Sequence, residues 1–267
     1  MDYSSLSFAG EREINEDAVG TEFFHDFACY VVCDGLGGHD KGEIASKLAV
    51  DTALEVFRNM SISPEFDPDA CIEQAFLGAE EELLRLQKEI HMESDLKTTM
   101  AMVVSDGKYL HYGHVGDTRI YFFKRGKITA HTKDHSVPQM LVYMGEIREE
   151  QIRFHEDRNR LLRVVGIPWD SPQYEIGSPV KLEKGLAFLM CTDGFWEWID
   201  EKNMQKLLKS EETAEKWIRS MQEVILQRGK GHNMDNYSAI AAVFMEKDRG
   251  GINDGRKKGS LFGLFGQ

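Results

Sequence analysis

The chain has 267 residues, 42% of them hydrophobic and 29% charged, with a formal net charge of −13. That size and composition suit a globular chain with a substantial core. The acidic balance argues against a general nucleic-acid surface, and no apolar run approaches the roughly 20 residues needed to span a bilayer.

The opening "MDYSSLSFAGERE" lacks the basic start and apolar core of a signal peptide, so the expected location is the cytoplasm. "FACYVVC" (Phe27 to Cys33) is short and rich in β-branched and aromatic residues, which predicts a buried strand. "EIASKLAVDTALEVFRNM" predicts a helix, and "SISPEFDPD" a loop. Ile72, Phe76, Ala79, Leu83, Leu86 and Ile90 recur at spacings of four and three, one apolar stripe of a long helix packed on a sheet. Two hairpins follow, turning at Asp106-Gly107 and near Arg125-Gly126. "VPQMLVYMG", "REEQIRFH" and "RNRLLRVVG" predict short helices in a longer excursion. "GLAFLMCTDG" predicts another buried strand. Two helices then lead to a last strand, "YSAIAAVFME". The pattern gives an α+β fold with helices outside two stacked sheets.

The domain should end near Glu246, leaving 247–267 as a Gly- and Lys-rich flexible tail with an apolar end, "SLFGLFGQ". That end could serve as a docking peptide for a partner or a second copy. Cys29, Cys33, Cys71 and Cys191 form no CxxC pair and read as small buried hydrophobes in a reducing compartment.

Acids sit at element ends beside turn residues: Glu16 and Asp17 in "REINEDA", Asp34 and Asp193 after the two buried strands, Asp117 in "GHVGDTR", and Asp235 before the last strand. Carboxylates gathered at one rim of a sandwich would repel one another unless cations neutralised them. Oxygen-only donors favour Mg²⁺ or Mn²⁺. "DGLGG" by itself is compatible with a bend or with a glycine-rich phosphate cradle, but no P-loop lysine or GxGxxG pattern accompanies it.

The ordered set "REINEDA", "VVCDGLGGH", "TT", "GHVGDTRIY", "TKDHS", "RNRLLRVVG", "FLMCTDGFW" and "DNYSAIA" resembles the metal-dependent (PPM, type 2C) Ser/Thr protein phosphatases of the bacterial branch. The resemblance covers about Ser5 to Met245. It implies an α-β-β-α sandwich of two antiparallel sheets with a metal centre at one end. It implies that Asp34 bridges two ions, Asp193 and Asp235 complete the first, and the Gly35 carbonyl serves the second, with Glu16 through water. Asp117 would join Asp193 at a third ion, and Arg12 would grip phosphate. A water held by two cations would be acidified and attack phosphorus in line.

The resemblance also implies phosphorylated protein substrates and an opposing Ser/Thr kinase, with a phosphoprotein-binding pseudophosphatase as the alternative. The sequence departs from the family at Leu36, where many eukaryotic members carry a histidine; this leaves metal-bound water or His39 as general acid. Lys97 replaces a usual glycine before Thr98-Thr99. The excursion from Ser136 to Asp157 corresponds to the family's variable flap, expected to touch the substrate protein.

Overall fold

The computed structural model describes residues 1–37, 41–91 and 96–244. In chain order the strands are β1 (Asp2–Phe8), β2 (Asp17–Phe24), β3 (Phe27–Leu36), β4 (Lys97–Thr98), β5 (Met100–Ser105) and β6 (Tyr109–Val115). Then come β7 (Arg119–Lys124), β8 (Lys127–His131), β9 (Glu175–Ile176), β10 (Val180–Lys181), β11 (Leu186–Cys191) and β12 (Tyr237–Phe244). The helices are α1 (Gly42–Met60), α2 (Pro68–Glu89), α3 (Val137–Tyr143), α4 (Asp193–Trp196), α5 (Glu201–Ser210) and α6 (Ala214–Gly229).

One sheet runs β1-β12-β11-β7-β8 and the other β10-β6-β5-β3-β2, with β4 against β3 and β9 against β6. The named pairings are antiparallel. β3 shows why a central strand reads as an unbroken apolar run. Cys29, Val31 and Cys33 face α1 and α2, packing with Ala49, Phe57 and Phe76, while Ala28, Tyr30 and Val32 face the other sheet, meeting Phe188 and Ile240. A third apolar layer, with Phe123, Leu189, Trp217 and Met221, lies between the second sheet and α5 and α6. The α-β-β-α order expected from the family resemblance is therefore the observed one. All four cysteines are free and buried.

α2 starts where the sequence places a stop: Asp67 accepts hydrogen bonds from the amides of Asp69 and Ala70, and Pro68 occupies the first helical turn. Its stripe Ile72, Phe76, Ala79 and Leu83 is buried. β1 and β2, absent from the sequence-based elements, are polar segments. β1 alternates between exposed and half-buried residues and is held as a strand by pairing along its whole length with β12.

"RNRLLRVVG" is not a helix. Arg158 and Asn159 lie in a turn, and the rest forms isolated bridges, Leu161 to Ser136 and Val165 to Thr98. The segment ends at Gly166, whose φ of 95° and approach to Leu96 O exclude a side chain. Two adjacent valines and that glycine favour the bridged form over the apparent periodicity. The excursion before it does hold α3 and a 3₁₀ turn, Glu149–Phe154. No helix among the described residues is long and apolar enough to cross a membrane. The boundary near Glu246, the tail 247–267 and His39 lie outside the described residues.

Register explains how distant acids meet. Asp17 at the start of β2 pairs with Asp34 near the end of β3. The end of β11 meets both the start of β12 (Cys191 with Ala239) and the start of β7 (Cys191 with Arg119), and the end of β1 meets the start of β12 (Phe8 with Tyr237). The segments carrying Glu16, Asp34, Asp117, Asp193 and Asp235 thus open onto one rim of the sandwich.

Candidate metal centre

A cleft of about 370 Å³ opens at that rim, lined among others by Arg12, Glu16, Asp34, Gly35, Asp117, Asp193 and Asp235. The seven residues that the resemblance assigns to metal and phosphate binding therefore reach one cavity, while Asp17 is not in its lining and His39 lies outside the described residues.

Asp34 is fixed by its main chain. Its amide donates to Thr99 Oγ1 at 2.9 Å, and its carbonyl accepts from Thr98 Oγ1 at 2.8 Å and from the Thr99 amide at 2.9 Å. The "TT" pair therefore grips the backbone and leaves the carboxylate to the cleft. Both threonines are fully buried, and Lys97 beside them is half-buried. Gly35 follows because nothing larger fits: a Cβ there would lie 2.1 Å from Gly42 O and 2.5 Å from Glu16 O. Glu16 Oε1 accepts from the Gly42 amide at 3.1 Å, tying this acid to the start of α1.

On the opposite wall, Asp235 Oδ2 accepts from Arg12 Nη2 at 3.0 Å, and its Oδ1 accepts from the Asn236 amide at 2.9 Å. Asn236 also staples the loop bearing Arg12, donating to Ala9 O at 2.9 Å and Ile14 O at 2.8 Å and accepting from the Glu16 amide at 2.8 Å. Asp193 opens α4, where Gly194 passes so close to Asn236 that a Cβ would lie 2.1 Å from its carbonyl oxygen. Asp117 is buried in the β6–β7 turn.

The electrostatics are unbalanced. Burial first, then the Asp193 charge, pushes Asp34 and Asp117 well above the usual carboxylate range. Burial, with Asp235 adding to it, pushes Asp193 up to about 6. Asp17 is pushed up to about 8, again mainly by burial. One Asp17 oxygen accepts from Thr192 Oγ1 at 2.9 Å, while the other is buried without a partner. Among the described residues lining the cleft only Arg12 is basic. A cluster of this kind is neutralised by protons or by cations. An oxygen-only donor set with an orphaned buried carboxylate oxygen fits Mg²⁺ or Mn²⁺.

The sequence reading did not place Asp17 among the ligands, nor give Asn236 its stapling role. Asp17 alternates with its neighbours on β2 and faces Asp34, a signal visible once β2 is recognised. A second cluster, His114, His135 and Glu175, lies apart from the cleft lining. One potential ligand atom from each of the three lies within 4.8 Å of the others, and the two rings stack 4.6 Å apart at 21°. Burial lowers both histidines, His135 to about 4, as expected for a neutral packed pair.

This order of elements and this rim match the family model "Protein phosphatase 2C" over residues 9–240. The chain belongs to the protein phosphatase 2C family. It is 26% identical over 245 residues to the serine/threonine protein phosphatase PstP of Mycobacterium tuberculosis, a match covering 90% of this chain and 44% of PstP. It therefore spans less than half the length of that relative. The serine/threonine phosphatase stp of Listeria monocytogenes is 29% identical over 218 residues, covering 76% of this chain and 80% of stp. The crystal structure of the serine/threonine phosphatase Stp1 from Staphylococcus aureus superposes with a TM-score of 0.81 at 26% identity, covering 92% of this chain and 96% of Stp1. In this protein phosphatase 2C chain the Ser136–Asp157 excursion is tied to the segment after Asp193, with Arg153 Nη1 donating to Trp196 O at 3.0 Å and Ile199 O at 2.9 Å, and just beyond it Arg158 Nε donates to Glu197 Oε1 at 2.6 Å.

Proposed function

We propose that this chain hydrolyses phosphoserine and phosphothreonine in proteins, with two Mg²⁺ or Mn²⁺ ions, and a third at Asp117 and Asp193, held in the acidic cleft. The observation that carries this reading is the ring of carboxylates, from both sheets, around a single arginine at the cleft lip. When bound, the ions supply Lewis acidity toward the phosphoryl oxygens and an acidified water. Asp34, clamped from behind by Thr98 and Thr99, holds its charge between the two walls; Asp193 and Asp235 serve one side, and Gly35 O with Glu16 the other. Arg12 is half-exposed and bonded by one nitrogen to Asp235, so its guanidinium can exchange that bond for two phosphate oxygens. Among the described lining residues no Ser, Cys or His is placed as a nucleophile, which favours direct attack by water. Retention of all the acids disfavours the pseudophosphatase alternative.

The test is hydrolysis of a phosphothreonine peptide with Mn²⁺, with Mg²⁺ and with chelator. Turnover in metal and none in chelator is expected; full activity of metal-stripped protein would overturn the reading. A Ser/Thr kinase is the partner in the opposing reaction, and the cytoplasm the setting. The tail ending in "SLFGLFGQ" is proposed as a docking peptide for a partner or second copy. Deleting 250–267 should leave hydrolysis of a small aryl phosphate unchanged while reducing self-association in sedimentation or capture of a partner. Unchanged behaviour in both would remove the docking role.

A further inference from the structure

Trp196 ends the short helix that begins with Asp193, and it is buried. Its indole Nε1 donates to the main-chain carbonyl of Asp117 at 3.0 Å. That bond joins the two segments presenting Asp117 and Asp193, which are 76 positions apart in sequence and on different strand connections. The indole is itself immobilised. The Arg119 guanidinium lies over its ring, 3.6 Å from the centroid. Arg119 is held in turn by Asp134, with Nε to Oδ1 at 2.8 Å and Nη2 to Oδ2 at 2.7 Å, and by Tyr121 Oη at 3.0 Å. The Trp196 carbonyl accepts from Arg153 Nη1 at 3.0 Å, fixing the residue from the other side. A donor so tightly held, aimed at the backbone of a carboxylate that enters the cleft, does more than fill space: it sets where that carboxylate stands.

We propose that Trp196 is a positioning residue for the third cation, fixing through its indole N–H the separation of Asp117 and Asp193. The inference rests on the metal reading above and concerns the ion assigned to Asp117 and Asp193. Of the two other ions, one also takes Asp193, but Asp34, Gly35 and Asp235 lie at the β3 and β12 ends, which Trp196 does not hydrogen-bond, so Asp117 is the ligand specific to the third ion that its N–H holds.

The experiment uses the full chain and Trp196→Phe, which keeps an aromatic ring beneath Arg119 and removes the N–H together with part of the indole. Trp198→Phe is the control, since Trp198 packs on His232 and has no bond to Asp117. Calorimetric Mn²⁺ titration and the Mn²⁺ dependence of phosphothreonine-peptide hydrolysis are measured on all three proteins. For Trp196→Phe the expected result is about a 10-fold weaker last binding step, the size usual for losing an outer-shell partner. The Mn²⁺ concentration for half-maximal turnover should rise to match, while the earlier steps and the peptide KM keep their wild-type values. Trp198→Phe should titrate as wild type. Identical titrations for Trp196→Phe and wild type would overturn the positioning role, as would equal weakening of every step, which marks a general structural loss. Wild-type protein that binds no Mn²⁺ would overturn the metal reading and this inference with it.

Discussion

Two clusters of buried charge sit side by side under the same rim, and they are built on opposite principles. Around Arg119 every charge has an answer: the guanidinium is bidentate to Asp134, bonded to Tyr121 and stacked on Trp196, and both ionic side chains are almost wholly buried. Around Asp34 the charges share a sign. Asp17, Asp34, Asp117 and Asp193 all have raised pKa values, burial being the first cause in each case. A compensated cluster holds a structure together, because neither partner can be removed without stranding the other. An uncompensated cluster costs stability until something positive arrives, and that cost is recovered as cation affinity.

The comparison breaks most sharply at Asp34. Asp34→Asn removes one negative charge from the centre of the uncompensated cluster and leaves the Thr98 and Thr99 bonds to its main chain intact. Turnover of phosphothreonine peptide should fall by about 10³-fold or more, roughly 4 kcal/mol of transition-state stabilisation. Without metal, the variant should melt at or above the wild-type temperature, since a repulsive charge has gone. Calorimetry with and without Mn²⁺, beside steady-state kinetics, reads both effects. A variant that melted far lower without metal would place Asp34 in the structural class instead.

Arg119→Met should show the reverse pattern. It strands Asp134, which is buried, and the expected loss is about 3–5 kcal/mol of folding stability. Arg119→Met combined with Asp134→Leu should recover much of that loss in denaturant titrations. If the double variant were as unstable as the single, stacking on Trp196 rather than charge pairing would be the larger contribution.

Arg12 lies between the two classes: it is paired with Asp235, but at the exposed lip. Exposed pairs contribute about 0–1 kcal/mol, so Arg12→Ala should scarcely change the melting temperature. It should raise KM for phosphopeptide about 10-fold or more, with tight Mn²⁺ binding retained. Loss of metal with an unchanged KM would mean that Arg12 serves Asp235 rather than phosphate.

Most of the uncompensated cluster was legible in the sequence because its chemistry is written in order: Asp34, Asp117 and Asp193 stand at strand ends beside a glycine, and Glu16 and Asp235 beside an asparagine. The compensated one was not, because nothing local links Arg119 to Asp134 or to Trp196; their meeting depends on β7, the turn after β8 and α4 converging. The same limit hid β1 and β2. Their residues lack a strong apolar alternation, and they become strands only when β12 and β3 supply hydrogen-bond partners. With β2 unseen, Asp17 could not be set opposite Asp34. The false helix at "RNRLLRVVG" has a related cause, since bridges to Ser136 and Thr98, from distant segments, decide its conformation.

A carboxylate outside both clusters sharpens the distinction, because it is uncompensated yet not part of the cleft lining. Glu80, on α2, accepts from the Gly166 amide through Oε2 at 2.6 Å, while its Oε1 is buried without a partner. Burial pushes it up to about 7 from an ordinary value of 4.5, against the lowering effect of the Gly166 bond. Between those two values the folded chain holds a proton that the unfolded chain has released. Its contribution to stability is therefore complete below about pH 4.5 and lost as pH rises through 7. Glu80→Gln can keep the Gly166 bond through its amide oxygen and no longer titrates. The melting temperature of the variant relative to wild type should climb by about 2–4 °C from pH 5 to pH 8, on the order of 1 kcal/mol for a domain of this size. The cleft acids are common to both proteins and cancel in the difference. Melting curves at pH 5, 6.5 and 8 in chelator measure it, and parallel profiles would mean that Glu80 is ionised throughout. Addition of Mn²⁺ should leave this difference unchanged, because a lone carboxylate against one amide lacks the further oxygen donors that make the cleft a cation site.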